Sequence, residues 1–193
     1  TSVDFNCFDS KQIQNASKMF FKCKNLETLD LSSFYTGSVT DMNYLFGDCA
    51  KLVTLDLSGW DTSMVTNMAG MFFSCNALEK VGDLSTWNTS SVTDMSEMFY
   101  TCRLLTGLDL SKWNTSKVKN MTRMFFQCEL LTGVNNLSNW DTSQVENMNV
   151  MFSGSALTST HSLSIWDTSS VTDMSEMFSG TAITSIDGLL NWN

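Results

Sequence analysis

The side chains of this chain whose spacing could support chemistry are a set of cysteines, a row of carboxylates and a row of threonines. Cys23, Cys49, Cys75, Cys102 and Cys128 share one position in five successive repeats, and Cys7 falls outside that rhythm. A metal site needs ligands clustered at short spacings, yet the chain has no CxxC pair and a single His. Disulfides need side chains that face each other, whereas residues repeated in register point the same way. The spacing favours a column of buried free thiols that act as small apolar side chains. No metal and no cofactor is expected.

The carboxylates are Asp30, Asp56, Asp83 and Asp109, joined by Glu27, Glu79 and Asp187. Stacked about 5 Å apart they repel one another unless solvent or a cation intervenes. Calcium takes about six to eight oxygens, and one Asp per repeat offers too few. Two readings stay open. One is a solvated face; the other is a negative concave surface that prefers a basic or hydroxyl-rich partner. The candidate binding residues are Glu27, Asp30, Asp56, Glu79, Asp83 and Asp109.

Thr36, Thr62, Thr89, Thr115, Thr142 and Thr168 would stack into a hydroxyl row. Such a row could order water, which makes ice binding a minor alternative; the competing reading has the hydroxyls bonding corner backbone. Trp60, Trp87, Trp113, Trp140 and Trp166 could form a glycan-stacking platform, but their fixed register favours a packed internal ladder. His161 takes an outward strand position without a Ser or Cys partner at a meaningful spacing, and reads as a surface residue. No nucleophile–base pair or phosphate loop is visible, so no enzyme is expected. Sequons begin at Asn15, Asn88, Asn114, Asn120 and Asn136 and carry meaning only in a eukaryotic secretory pathway.

All these rows exist because the chain repeats itself. Phe8, Phe34, Trp60, Trp87, Trp113, Trp140, Trp166 and Trp192 fall at intervals of 26 or 27 residues. A period of that length means a solenoid whose coils bury their apolar faces only against their neighbours. The coil from Leu52 stands for the rest. Leu52-x-x-Leu55-x-Leu57 alternates as a strand does, and stacked copies must pair as a parallel sheet. Ser58-Gly59-Trp60-Asp61-Thr62-Ser63 turns the chain through side-chain bonds to backbone, in a sequence that contains no Pro. After Val65, Asn67-Met68-x-x-Met71-Phe72 reads as an N-cap followed by one or two turns of helix. Glu97 and Glu176 stand close to capping-box positions.

The coils vary at defined points. Val81-Gly82-Asp83-Leu84 and Val134-Asn135-Asn136-Leu137 carry one extra residue, which predicts a bulge. The last two coils, through Gly154-Ser155-Ala156 and Gly180-Thr181-Ala182, shorten the return and lose the Cys. The first coil is degenerate: Phe5, Phe8, Ile13, Ala16, Met19 and Phe20 keep the apolar columns but its corner reads Asp9-Ser10-Lys11. That degeneracy suggests that it stands close to the N-terminal end of the array. Residues 1–193 are expected to form one array of about seven coils, cut from a longer chain.

Composition narrows the partners. A net charge of -9 and a pI near 4.4 disfavour nucleic acid and anionic membrane surfaces. No apolar run approaches the roughly 18 residues that a spanning helix needs. This segment is not expected to insert into a membrane.

The strand LxxLxL is the leucine-rich-repeat signature, here with Trp or Phe where other subfamilies place Asn. The whole unit, LDLSxW[DN]TSxVx[DN]MxxMFxxC, closely resembles the repeats of BspA-like leucine-rich-repeat surface proteins, over nearly the entire chain. Those occur in host-associated bacteria, mycoplasmas and some protists. The resemblance implies an α/β repeat: a right-handed leucine-rich-repeat solenoid with a parallel sheet on its concave face and short helical turns on the opposite face. It also implies display outside the cell or at its surface, with a protein or glycan ligand, and carries over no catalytic residues. A non-enzymatic binding module for adhesion or recognition follows by analogy. The alternative is a structural spacer or lattice element of stacked repeats.

Overall fold

The computed structural model describes residues 2–4, 9–131 and 137–192. The expectations that involve Phe5, Cys7, Phe8 and the second extra-residue site at Val134-Asn135-Asn136 lie outside the described residues, as does the Asn136 sequon.

Backbone pairing runs from each coil to the next. Strand β1 (Ser2–Asp4) pairs in parallel with β2 (Thr28–Asp30), with Val3 opposite Leu29. The same row continues through parallel bridges Thr28–Thr54 and Thr54–Lys80. Farther along, short 3-10 helices occupy the end of the row at Leu84–Thr86, His161–Leu163 and Asp187–Leu189. The extra residue in the fourth coil is absorbed beside the first of these. Gly82 has φ 76, and a Cβ there would stand 2.7 Å from an Asp56 carboxylate oxygen. Only Gly fits that bend.

The uninterrupted ladder lies elsewhere. Asn15, Asp41, Asn67, Asp94, Asn120, Asn147 and Asp173 form parallel bridges in sequence order, each to the next coil's counterpart. This column was expected to start helices, and among the described residues no α-helix follows it. Each of these side chains does accept from the N–H two residues on, as Asn67 does from Ala69 at 2.9 Å and Asp94 from Ser96 at 2.8 Å. The chain then leaves the helical path. The third and seventh residues beyond each Asn or Asp take positive φ, as Tyr44 (50°) and Asp48 (64°) do after Asp41.

The physical reason is competition for N–H groups. In the second coil, Met42, Tyr44, Phe46 and Asp48 donate to the carbonyls of Asn67, Ala69, Met71 and Phe73 at 2.6–3.0 Å. The residues between them, Leu45, Gly47 and Cys49, donate three residues back within their own coil. Half of the donors thus bond along the stack, which an α-helix could not allow, because it commits every interior N–H locally. The apolar spacing is the same in both geometries. Met42, Leu45, Phe46 and Cys49 all point inward and are fully buried.

The core is a set of such columns. Phe20, Phe46, Phe72, Phe99, Phe125, Phe152 and Phe178 stack with ring centroids 5.4–6.0 Å apart. The indoles form a second ladder, with Trp87 on Trp113 at 6.0 Å and Trp140 on Trp166 at 6.1 Å. Val39, Val65, Val92, Val118 and Val145 are wholly buried between them. Each such side chain contributes about 1.5–3 kcal/mol on burial. The last coil is open: Ile186 and Leu190 are 62% and 77% exposed, and Val171, Met174 and Phe178 are half-buried.

Candidate binding face

Four candidate columns follow from the repeat, and the structure sorts them. The Thr column is not a surface. Thr36, Thr62, Thr89, Thr115, Thr142 and Thr168 are buried, 1–3% exposed. Thr62, Thr89, Thr115 and Thr142 donate their hydroxyls to the corner carbonyls of the following coil, at 2.8–3.0 Å. The hydroxyls bond backbone, as one reading held, but across coils. The ice-binding alternative loses the row it needed.

The thiol column is also internal. Cys49, Cys75, Cys102 and Cys128 are free and buried, and each Sγ–H donates to a Phe carbonyl of the preceding coil at 3.0–3.1 Å. Burial raises the Cys49 thiol to about 12 and pushes those of Cys75, Cys102 and Cys128 well above the ordinary value. Cys23 departs from the expected column, because it is exposed. Among the described residues no group of three or more His, Cys, Asp or Glu gathers as a metal site would require.

The indoles point their N–H groups along the stack. Trp87, Trp113, Trp140, Trp166 and Trp192 donate to the carbonyls of Leu57, Leu84, Leu110, Leu137 and Leu163 at 3.0–3.1 Å. With Trp60 to Trp166 only 2–6% exposed, no ring face is available for glycan stacking.

The acidic column is the exposed one. Glu27, Asp30, Asp56, Glu79, Asp83 and Asp109 all face solvent. The four Asp residues have a structural duty as well: each accepts the N–H two residues on, at Ser32, Ser58, Ser85 and Ser111, at 2.9–3.1 Å. Hydrogen bonds from those serines hold the Asp56, Asp83 and Asp109 carboxyls below the ordinary value, through the hydroxyl first and then the N–H. For Asp30 the N–H of Ser32 contributes most. The Lys112 ammonium adds to the lowering at Asp83 and Asp109. These four Asp carboxylates are therefore ionised at neutral pH, and the two pairs differ in electrostatic surroundings.

Two clefts open on this face. One lies beside Asp30 and Asp56 and reaches Phe34 and Trp60; the other lies beside Asp83, between Lys80 and Gly107. His161, exposed as expected, borders a third depression with Ser138, Ser159 and Ser164. The Asn15, Asn88, Asn114 and Asn120 sequons sit where the Asn side chain accepts the N–H two residues on. A glycan there would compete with that bond.

Sequence reasoning missed a second exposed column. Phe21, Tyr44, Phe73, Tyr100 and Phe126 form a half-buried aromatic row on the turn face, with Phe73 and Tyr100 stacked at 4.6 Å. The available signal was the doubled aromatic in Met19-Phe20-Phe21 and its equivalents, together with Gly47 and Gly70 where neighbouring coils carry large side chains.

A family model described as "Mycoplasma protein of unknown function, DUF285" matches residues 1–103 and again 78–192. The chain belongs to this family. The two matches overlap within the array, as expected when a repeat unit is matched in more than one register. No curated protein and no solved structure matches the chain. The DUF285 description names no activity or ligand.

Proposed function

We propose that this DUF285 array is a non-enzymatic binding module, built as a right-handed leucine-rich-repeat solenoid and displayed at a cell surface or outside the cell. Its ligand is a protein or glycan, held on the face that carries Glu27, Asp30, Asp56, Glu79, Asp83 and Asp109. The observation that carries the reading is the contrast between columns. The Phe, Trp, Val, Thr and Cys columns are spent on packing and coil-to-coil bonds, whereas the acidic residues stay exposed, four of them as Asp30, Asp56, Asp83 and Asp109 in successive coils. Charge complementarity on such a face guides partner choice more than it adds affinity.

The test is binding of the wild-type chain and of an Asp56→Lys/Asp109→Lys variant to a panel of immobilised extracellular-matrix proteins and glycans. Weakened binding by the variant is expected. Equal binding would remove this face from the argument.

A structural role as a spacer or lattice element is the second reading, favoured by the backbone bridges that run from each coil to the next along the stack. Concentration-dependent sedimentation of the wild-type chain discriminates it. A monomer at high concentration speaks against assembly.

A further inference from the structure

We propose that this chain pairs with a second copy of itself through the turn faces of its fourth and fifth coils, antiparallel, about a twofold axis that passes between those coils. The inference goes beyond the binding-face reading and uses none of its residues.

Two neighbouring outward strips carry it. In the fourth coil Met98, Phe99 and Cys102 are wholly buried, and Glu97, Tyr100, Arg103 and Leu104 lie on the outside. In the fifth coil Met124, Phe125 and Cys128 are wholly buried, and Arg123, Phe126, Glu129 and Leu130 take the same outward positions. Position by position the charges are reversed, with Glu97 beside Arg123 and Arg103 beside Glu129. The uncharged positions match in kind, with Tyr100 beside Phe126 and Leu104 beside Leu130.

Within one chain these residues already meet across the coil boundary. Arg123 lies 3.4 Å from Glu97, and the Tyr100 and Phe126 rings stack at 4.8 Å. Arg103 pairs with Glu129 and donates to Gln127 at 2.7 Å. The two strips are thus held side by side in register, and they are not used up. The Arg103 and Glu129 side chains remain 44% and 49% exposed, and Leu104 and Leu130 are 42% and 48% exposed. Ion pairs this exposed contribute little to the stability of a single chain.

A surface binds its own copy about a twofold axis only where residue i meets j and j meets i. With the axis across the stack, between the fourth and fifth coils, the stacking direction reverses and the position along the coil is kept. The fourth-coil strip of one copy then lies on the fifth-coil strip of the other. Arg103 faces Glu129 and Glu97 faces Arg123, each twice by symmetry, so every internal ion pair becomes half of a ring of four alternating charges. Leu104 meets Leu130 and Tyr100 meets Phe126, so apolar groups meet apolar groups.

Other arrangements fail on the same residues. An axis through the fourth coil would set Arg103 against Arg103 and Glu97 against Glu97. A parallel pairing reverses the position along the coil and would set Glu97 against Leu104. Like charges in contact, or a charge desolvated by an apolar group, are unfavourable. The flanking coils do not repeat the pattern: the third carries Gly70, Phe73, Asn76 and Ala77 at these positions, and the sixth begins with Val150. The strips are small beside the roughly 20–30 residues a side of a standard interface, so the dimer is weak and reversible. The charge pattern sets partner and orientation more than strength.

The test is sedimentation equilibrium over a hundredfold range of concentration, at about 0.15 M salt, where distant repulsion between the acidic copies is screened and contact pairs persist. The wild-type mass is expected to rise with concentration from 21.6 kDa toward twice that value and stop there. Arg103→Glu and Glu129→Arg each set like charges together across the axis, and each alone is expected to weaken association at least tenfold. An equimolar mixture of the two variants is expected to restore it, because each supplies the charge the other lacks. A role confined to the single chain is not rescued by mixing, and the rescue itself shows both variants folded. Leu104→Ser/Leu130→Ser should weaken the dimer to a similar extent. Lys119→Glu, which breaks an exposed inter-coil pair with Glu146 outside the strips, should leave it unchanged. A wild-type monomer throughout, single variants that associate as wild type, or a mixture no better than its components would each overturn the pairing. Growth past the dimer without a plateau would overturn it in favour of the lattice reading.

Discussion

The Tyr44 hydroxyl hydrogen-bonds the Glu97 carboxylate, reaching over the coil that lies between them. It does so because Gly70 occupies the same column in the intervening coil: a Cβ there would stand 2.4 Å from the Tyr44 ring. Glu97 also receives Arg123 at 3.4 Å, and the Lys18 ammonium lies 5.9 Å from the Tyr44 ring centroid. One column thus alternates cation, ring, gap, anion and cation across five successive coils, and ties them along the stack.

Gly70→Ala is expected to destabilise the array by about 2–3 kcal/mol, since it adds a clash to a residue at φ 59. Tyr44→Phe keeps the ring and loses only the Glu97 bond, so its loss is smaller. The phenol is held well above its ordinary value, by burial first and then by the Glu97 hydrogen bond and charge. A phenol raised in the folded state leaves stability intact below about pH 10, the unfolded value, and erodes it above as the phenol ionises. Urea titrations from pH 8 to 12 check this. The alkaline loss should be smaller in Tyr44→Phe than in wild type.

Asp56 and Asp109 combine a turn-forming bond with a surface charge, and Asn separates the two. Asn88 and Asn114 make the same side-chain bond to the N–H two residues on, without charge. Asp56→Asn/Asp109→Asn is therefore expected to melt near wild type at pH 7, and Asp56→Ala/Asp109→Ala below it. A depressed carboxyl contributes stability above its unfolded value, about pH 3.9, that is lost as the pH falls through the folded value. The Asn variant should thus lose less stability than wild type between pH 5 and pH 2. Equal melting of the Asn and Ala variants would show that the turn bond contributes nothing.

Thiol accessibility offers a direct reading of the stack. In a Cys7→Ser background, one thiol, Cys23, is expected to react with a disulfide reagent at pH 8 in the folded chain. Cys49, Cys75, Cys102 and Cys128 should react only on unfolding, because burial keeps them protonated and out of reach. Rapid native reaction of more than one thiol would mean that the coils open individually.

Much of this arrangement is legible from the period alone. Once Phe20, Phe46 and Phe72 recur in register, their stacking follows, and so do the burial of Cys49 and Cys75 and the exposure of Asp30 and Asp56. What was not legible is the path between buried positions. Asn67-Met68-x-x-Met71-Phe72 has the apolar spacing and the cap of a helix, and the deciding fact is where the N–H groups go. That depends on a neighbouring coil 26 or 27 residues away, which local pattern does not encode. The Thr column left a surface reading open beside the backbone-bonding one for a related reason: a short polar side chain reads as exposed until a carbonyl of the next coil is placed over it. Trp60 was unreadable as an exception, because the lack of an acceptor for its Nε1 appears only when the five later indoles are seen to have theirs.

The turn face also predicts where stability can be gained. Positions three beyond each Asn or Asp of the ladder are left-handed, and they hold Lys18, Tyr44, Gly70, Glu97, Arg123, Val150 and Glu176, with φ from 50° to 59°. A β-branched residue is the least suited of these to that region. Val150 is held there by its N–H, which donates to the Ser175 carbonyl at 2.9 Å, and by the Ser153 N–H that donates to its own carbonyl at 3.2 Å. Its side chain is only partly buried, so Gly removes little apolar contact while relieving the strain. Strain of this kind costs about 1–3 kcal/mol, and the added freedom of the unfolded Gly takes back about 0.4–1 kcal/mol. Val150→Gly is therefore expected to raise stability by about 1 kcal/mol, measured by urea or thermal unfolding. Gly70→Val, the reverse change in the same column three coils earlier, should lower it sharply. A Val150→Gly variant less stable than wild type would mean that the column tolerates left-handed side chains without strain, and that inter-coil bonding alone fixes the path.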